Sequence, residues 1–221
     1  MNLPLPKRLI GHGHWTIEGS KMSKSLGNVV DPIEIIDEMF SGRSDPLRYF
    51  LLRAGKMNSD SPFSLEALKN CYNNELVGNL GNLISRVFKK YTPEEMALIP
   101  EIDKPEDPEL REKLNFYTER SDQFYYSFQY GQVADVSMDI LSAANRFISR
   151  IEPWKFTDAC DHLHVASQIS CILKQVSSNM SPIIPEASES IDLIMKGRVS
   201  LSLKGGLFPR LNFINKKTIR G

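Results

Sequence analysis

Cysteine is scarce in this chain: Cys71, Cys160 and Cys171 are the only three in 221 residues. Thiols so few and so scattered exclude a disulfide framework, and they lack the paired spacing of a zinc site. Cys71 and Cys171 fall among apolar positions at helical spacing and read as small core residues. Histidine is nearly as sparse. His12 with His14 and His162 with His164 form two His-x-His pairs, neither with a cysteine or acidic ligand set around it, so no metal site is expected. An excess of one charge is missing too, since 27 Lys and Arg balance 27 Asp and Glu. That argues against a binder working through a broad positive field, while leaving room for a protein that reads folded RNA through a few placed side chains. Long apolar runs are absent, the longest being short segments such as Ile183-Ile184, so no membrane partner is expected. The opening Met1-Asn2-Leu3-Pro4-Leu5-Pro6 has neither the apolar core of a signal peptide nor the Arg-rich amphipathic pattern of a transit peptide. What is present is ordinary globular composition, 41% hydrophobic and 24% charged, sufficient for one large domain or two small ones.

The β signal is confined to the start. Residues 7–19 read as a strand pair around Gly11-His12-Gly13, with Trp15-Thr16-Ile17 as its aromatic and β-branched part. Residues 20–30 are rich in Ser, Lys, Gly and Asn and read as a loop. Helical text follows. Asp31-Pro32 with Glu34 is a helix start, ended by Ser41-Gly42, and Asp45-Pro46 repeats the signal before Leu47, Phe50, Leu51 and Ala54. Residues 56–63 read as a polar connection. Ser64 then opens a long helix with Leu65, Leu68, Tyr72, Leu76, Leu80, Leu83, Val87 and Tyr91 on one face. Residues 92–108 read as a surface crossing. Further helices are predicted over about 109–129 and 132–151, around 163–176, and near 186–195, before an irregular tail from 196. The expected fold is mainly α: a small β-containing head over 1–63, a helical bundle over 64–195, and a tail over 196–221.

One motif carries chemistry. Between strand and helix stands Gly19-Ser20-Lys21-Met22-Ser23-Lys24-Ser25-Leu26-Gly27-Asn28. Two ammonium groups on a pliable arm can close on a polyphosphate and meet the charge that develops on leaving pyrophosphate. A lysine pair of this spacing is also what a solvated basic loop looks like. The whole Lys-Met-Ser-Lys-Ser string, followed by Leu-Gly-Asn and an Asp-Pro helix start, resembles the signature loop of class I aminoacyl-tRNA synthetases. Pro4-Leu5-Pro6-Lys7, His12-Gly13-His14-Trp15-Thr16, Asp45–Arg53, Leu80-Gly81-Asn82-Leu83-Ile84-Ser85-Arg86 and Pro153-Trp154-Lys155 resemble, in order, stations of the methionyl-tRNA synthetases. Gly206-Leu207-Phe208-Pro209-Arg210-Leu211 resembles the tail of their mitochondrial-type members.

The resemblance implies roles. Lys21 and Lys24 would be catalytic, and Lys21, Met22, Ser23, Lys24 and Ser25 would form the ATP-phosphate site, with Mg2+ accompanying ATP and no zinc. Asn82, Arg86 and Trp154 would touch the anticodon bases of tRNA(Met). Their side-chain types are fitted to that role, with an amide for a base edge, a planar charged fork, and a stacking face. Asn82 and Arg86, four apart, also fit a solvated helix face, and Trp154 after Pro153 also fits a core anchor. The resemblance marks two pieces not found among these residues. One is the family's nucleotide-binding sheet with its His-x-Gly-His signature, for which His12-Gly13-His14 has the wrong spacing and position. The other is the cysteine-bearing inserted knuckle. The expectation is the C-terminal portion of a methionine–tRNA ligase, inactive alone and using ATP and L-methionine only with the nucleotide-binding half. A non-catalytic tRNA-binding protein is the alternative, and a helical protein scaffold is suggested by Phe124-Tyr125-Tyr126 and the neutral charge. Location in the mitochondrial matrix is expected from the tail, with the cytoplasm as alternative.

Overall fold

The computed structural model describes residues 5–199 and 206–212. Its β part is smaller than the sequence suggests. Strand β1 (Trp15–Ile17) pairs antiparallel with β2 (Ser20–Lys21), Thr16 opposite Lys21. The two-residue turn between them, Glu18-Gly19, has positive φ at both positions, the geometry that matches the twist of a tight hairpin. Leu9 and Ile10, read as strand, lie outside it and are exposed. Among the described residues no strand pairs with them. Gly13 instead lies against the 56–60 backbone, donating to Lys56 O at 3.2 Å, and a Cβ there would sit 1.9 Å from Ser59 O. The "polar connection" is corrected as well: it contains β3 (Ser61–Pro62), parallel to β1 with Trp15 opposite Ser61. Two residues ending in proline offer no alternation to read, and proline is tolerated there because the strand is at the sheet edge. Trp15 packs against Phe50 and Phe63, ring centroids 5.8 and 6.1 Å away, which seats the sheet on the helices.

Helix α1 (Pro32–Phe40) starts as read, the Asp31 carboxylate accepting from Ile33 N–H at 2.8 Å. In α2 (Asp45–Ala54) the start signal means something else. Asp45 is the first helical residue rather than the cap, and its buried carboxylate crosses to accept from Ala187 N–H at 2.6 Å. Glu186 returns the favour, accepting from Ser44 N–H and Oγ–H. Two helix N-termini far apart in sequence thus supply each other's missing acceptors.

The long helix expected from Ser64 exists, but it is not one regular helix. Helix α3 (Leu65–Cys71) passes into a wide π-helical stretch (Tyr72–Gly81) and then α4 (Asn82–Phe88). Leu68, Tyr72, Leu76 and Leu80 are all buried and all four apart. A strict four-residue repeat lies between 3.6 residues per turn and the wider π turn, so it suits either helix. Glu75 on that stretch accepts from Tyr49 Oη–H and from Arg53 Nε–H at 3.1 Å, pinning the π segment to α2, and Arg53 in turn reaches Asp135 at 2.7 Å. The 92–108 crossing contains a short helix, α5 (Pro93–Met96), with a reciprocal cap: Glu95 N–H to Thr92 Oγ1 at 3.3 Å and Thr92 N–H to Glu95 Oε2 at 2.8 Å.

Helices α6 (Pro108–Tyr126), α7 (Tyr130–Ile151), α8 (Ala159–Met180) and α9 (Pro185–Met195) complete the bundle near the predicted positions. Arg8 lies over the Tyr126 and Phe128 rings at 5.4 and 5.5 Å, tying the start of the chain to the α6–α7 turn. The irregular tail falls partly outside the described residues. Its described part is a strap that returns across the molecule. Leu207 and Phe208 are buried, Tyr72 Oη–H donates to Pro209 O at 2.7 Å, and Asn73 exchanges two hydrogen bonds with Leu211.

Candidate active-site loop and nucleic-acid interface

The lysine loop is more ordered than its composition suggests. Lys21 ends β2, and Lys24 begins a single tight turn, Lys24–Leu26, closed by Gly27, whose positive φ (63°) lets its N–H return to Lys24 O at 3.3 Å. Asn28 staples the loop's two sides: its Oδ1 accepts from Ser23 N–H at 2.8 Å and its Nδ2 donates to Lys21 O at 3.2 Å. Ser23 and Ser25 join through their hydroxyls at 2.8 Å. Met22 turns inward onto the core, with its N–H on Trp15 O at 3.3 Å. The Lys21 and Lys24 side chains are both exposed. Beside Lys21, Asp60 accepts from His14 N–H at 2.8 Å. That bond chiefly holds its carboxyl below the usual range, with the His14 and Lys21 charges adding to the pull. The loop therefore offers two ammonium groups on a frame fixed by backbone and Asn28. Among the described residues no group of three or more His, Cys, Asp or Glu side chains could hold a metal ion.

The second site draws its three residues from two segments. Asn82 and Arg86 lie on α4, and Trp154 lies in the short turn Pro153–Lys155 that follows α7. The structure brings all three together. The Arg86 guanidinium stands over the Trp154 ring at 5.3 Å, and the ring is 55% exposed, so the core-anchor reading of Trp154 does not hold. Pro153 takes the buried place instead. Asn82 is exposed and donates through Nδ2 to Asn145 Oδ1 at 3.0 Å. Arg86 Nη1 donates to Asn145 O at 3.3 Å, and Nη2 to Ser149 Oγ at 3.0 Å. Beside them Lys90 Nζ meets His162 Nδ1 at 2.5 Å, and burial lowers the lysine's affinity for its proton. A small cleft of about 50 Å³ between Arg86, Trp154, Lys90 and His162 opens onto this patch.

Asn145 and Ser149 were not found by sequence reasoning. The usable signal was their spacing: two polar residues four apart on α7, matching the four-residue spacing of Asn82 and Arg86 on α4. Nothing in α7 taken alone says that such a pair faces another helix.

A family model described as tRNA synthetases class I (M) matches residues 1–88, which takes in the sheet, the lysine loop and the helices through α4. The methionine–tRNA ligase of Clostridium acetobutylicum is 33% identical over 199 residues, covering 86% of this chain and 30% of the relative. That of Campylobacter jejuni is 34% identical over 208 residues, covering 90% and 32%. A crystal structure of Mycobacterium tuberculosis methionyl-tRNA synthetase bound by methionyl-adenylate superposes with a TM-score of 0.74. That match is 23% identical, covers 94% of this chain and 45% of that one, and is a likeness of fold. The class these features define is the class I aminoacyl-tRNA synthetases. Within it, the chain belongs to the methionyl-tRNA synthetase family. It spans about a third of the length of the curated relatives it matches, and those relatives are bacterial.

Proposed function

We propose that this chain supplies two parts of a methionine–tRNA ligase: the loop that stabilises the ATP phosphates and the patch that reads the tRNA(Met) anticodon. One observation carries the reading. Asn82 and Arg86 from one stretch of sequence and Trp154 from another, some seventy residues on, form a single patch with an amide, a guanidinium and an aromatic face. That set suits splayed single-stranded bases, which are stacked on one face and hydrogen-bonded along an edge.

At the loop, the methionine carboxylate would attack the α-phosphorus of ATP and pyrophosphate would leave with its negative charge. Lys21 and Lys24 meet that charge. Ser23, Ser25 and the Asn28 staple hold the arm, and Met22 anchors it to the core. The nucleotide and methionine pockets belong, in this reading, to the part of the relatives that the chain does not span, so the 221 residues alone form no adenylate. The purified polypeptide is expected to show no methionine-dependent ATP–pyrophosphate exchange, and measurable exchange would refute this part.

The anticodon reading is tested separately by filter binding. The chain should bind a stem-loop carrying the methionine anticodon in preference to one with an unrelated anticodon. Trp154→Ala should weaken that binding by ~1–3 kcal/mol, the usual contribution of one base–aromatic stack. Equal binding of all stem-loops, or none, would leave a scaffold role in its place. We also propose a mitochondrial setting, supported by the tail string Gly206–Leu211 alone. Cell fractionation that finds the protein only in the cytoplasm would overturn it.

A further inference from the structure

We infer that Asn145 is a positioning residue that fixes the direction of the Asn82 amide and so makes the patch distinguish amino bases from keto bases. The inference rests on the anticodon reading above. It follows from a chain of donors and acceptors whose polarity can be settled step by step. Met138 O accepts from Asn79 Nδ2 at 3.0 Å, and a carbonyl can only accept. Asn79 Nδ2 lies the same distance from Ser142 Oγ. The Asn79 oxygen therefore faces the other way, toward Asn145 Nδ2 at 2.9 Å. Asn145 Nδ2 also lies 3.1 Å from Asn79 O and 3.1 Å from Leu141 O, two further groups that can only accept. Its amide cannot be turned round. Its Oδ1 must then face Asn82 and Arg86, which reach it at 3.0 and 3.5 Å. Arg86 has only donors, so it reinforces the same choice.

The consequence falls on Asn82. Because its NH2 must point at Asn145 Oδ1, its own oxygen and its second N–H are left in a fixed order on the exposed side. Cytosine and adenine present an amino donor and then a ring acceptor along their pairing edges. Uracil and guanine present a carbonyl acceptor and then a ring N–H. An amide free to flip serves both orders equally, whereas an amide held one way serves one of them. The methionine codon AUG requires the anticodon CAU, whose first two bases are of the amino kind.

Arg86 takes a different part from the one its type suggested. Asn145 and Ser149 occupy both its terminal nitrogens, and its charge stands over the Trp154 ring at 5.3 Å. It holds the stacking ring in place, and the discrimination is left to Asn82.

The test is fluorescence anisotropy of stem-loops bearing CAU and its single changes C→U and A→G, with the full chain. The wild-type protein should prefer CAU by about tenfold over one of the two changes, the size expected when an amide's hydrogen-bond pair to a base is lost. In Asn145→Ala that ratio should fall to within about twofold of unity, while CAU still binds through Trp154. Asn145→Ser covers the case in which the alanine variant fails to fold. Its hydroxyl can bond back to Leu141 O four residues earlier, yet it is too short to hold Asn82, and it should lose the ratio likewise. Melting temperatures are recorded for each, because a merely structural role would lower them and leave the base ratio intact. A wild-type protein with no amino–keto preference would sink the anticodon reading itself. A wild-type preference that survives in Asn145→Ala or Asn145→Ser would sink only the role given to Asn145.

Discussion

Single residues show how far side-chain type alone carries a reading. Lys21, Lys24, Asn82, Arg86 and Trp154 were singled out because each falls on a family motif, since their types alone also fit a solvated loop, a solvated helix face or a core anchor. Asn145 was not, since a neutral amide within an amphipathic helix has many ordinary uses. Two residues outside the sites give direct checks. Burial pushes the Cys71 thiol up to about 12, whereas Cys160 is exposed. At pH 8 a thiol reagent should label Cys160 readily and leave Cys71 unmodified until the protein is denatured, as peptide mass spectrometry would record. Asp45 is 2% exposed, and one of its oxygens has no partner. Burial raises its pKa, opposed by the Ala187 and Glu186 N–H groups. A carboxyl raised on folding favours the folded state most below its unfolded value of ~3.9, and that contribution is lost as pH climbs through the folded value. Asn at this position can still accept from Ala187 N–H without carrying a buried charge. Asp45→Asn should therefore raise the melting temperature at pH 7 and flatten the decline between pH 4 and 7.

Elements were legible where periodicity was strong and boundaries were capped. Helices α6 and α8 and the start of α1 follow that rule, capped by Asp107, Asp158 and Asp31, whereas α7 and α9 were found by periodicity without a side-chain cap. The misses have specific causes. β3 is too short to alternate, and the π stretch obeys a four-residue repeat that looks like an α-helix when only apolar positions are counted. Helix α5 was signalled by Thr92-Pro93-Glu94-Glu95 inside a stretch whose composition suggested a loop. Its reciprocal cap makes a measurable contribution: Thr92→Ala should cost about 1 kcal/mol in urea unfolding. Gly197 closes the same corner with φ at 63° and no room for a side chain, since a Cβ would stand 2.2 Å from Pro93 O. Gly197→Ala should therefore cost more than the lost cap, ~1–3 kcal/mol.

At the scale of the molecule, the lysine loop and the patch of Asn82, Arg86 and Trp154 hang on one continuous frame. Arg53 at the end of α2 is held by Glu75 on the π stretch and Asp135 on α7, and the π stretch runs directly into the helix that carries Asn82 and Arg86. This arrangement was not legible beforehand, because each of its contacts joins residues more than twenty apart and no local pattern records them. The strap adds a further tie. Arg43 donates to Leu207 O at 2.9 Å, and Lys69 to Asn212 O at 2.8 Å, on either side of the buried Leu207-Phe208 pair. Removing residues 206–221 should take both buried side chains away from the core and cost roughly 3–6 kcal/mol, from about 1.5–3 for each. Calorimetry would show this as a lower melting temperature.

The strap also sets an order in time. Tyr72 and Asn73 bond to residues made 137 and 138 positions later. At ~5–20 residues per second, a ribosome reaches them roughly seven to thirty seconds after Tyr72 has been joined. For that interval the groove along the π stretch is a nascent apolar surface without its cover. The newly made chain is exposed to chaperones and to misassembly at the very face that later supports both sites.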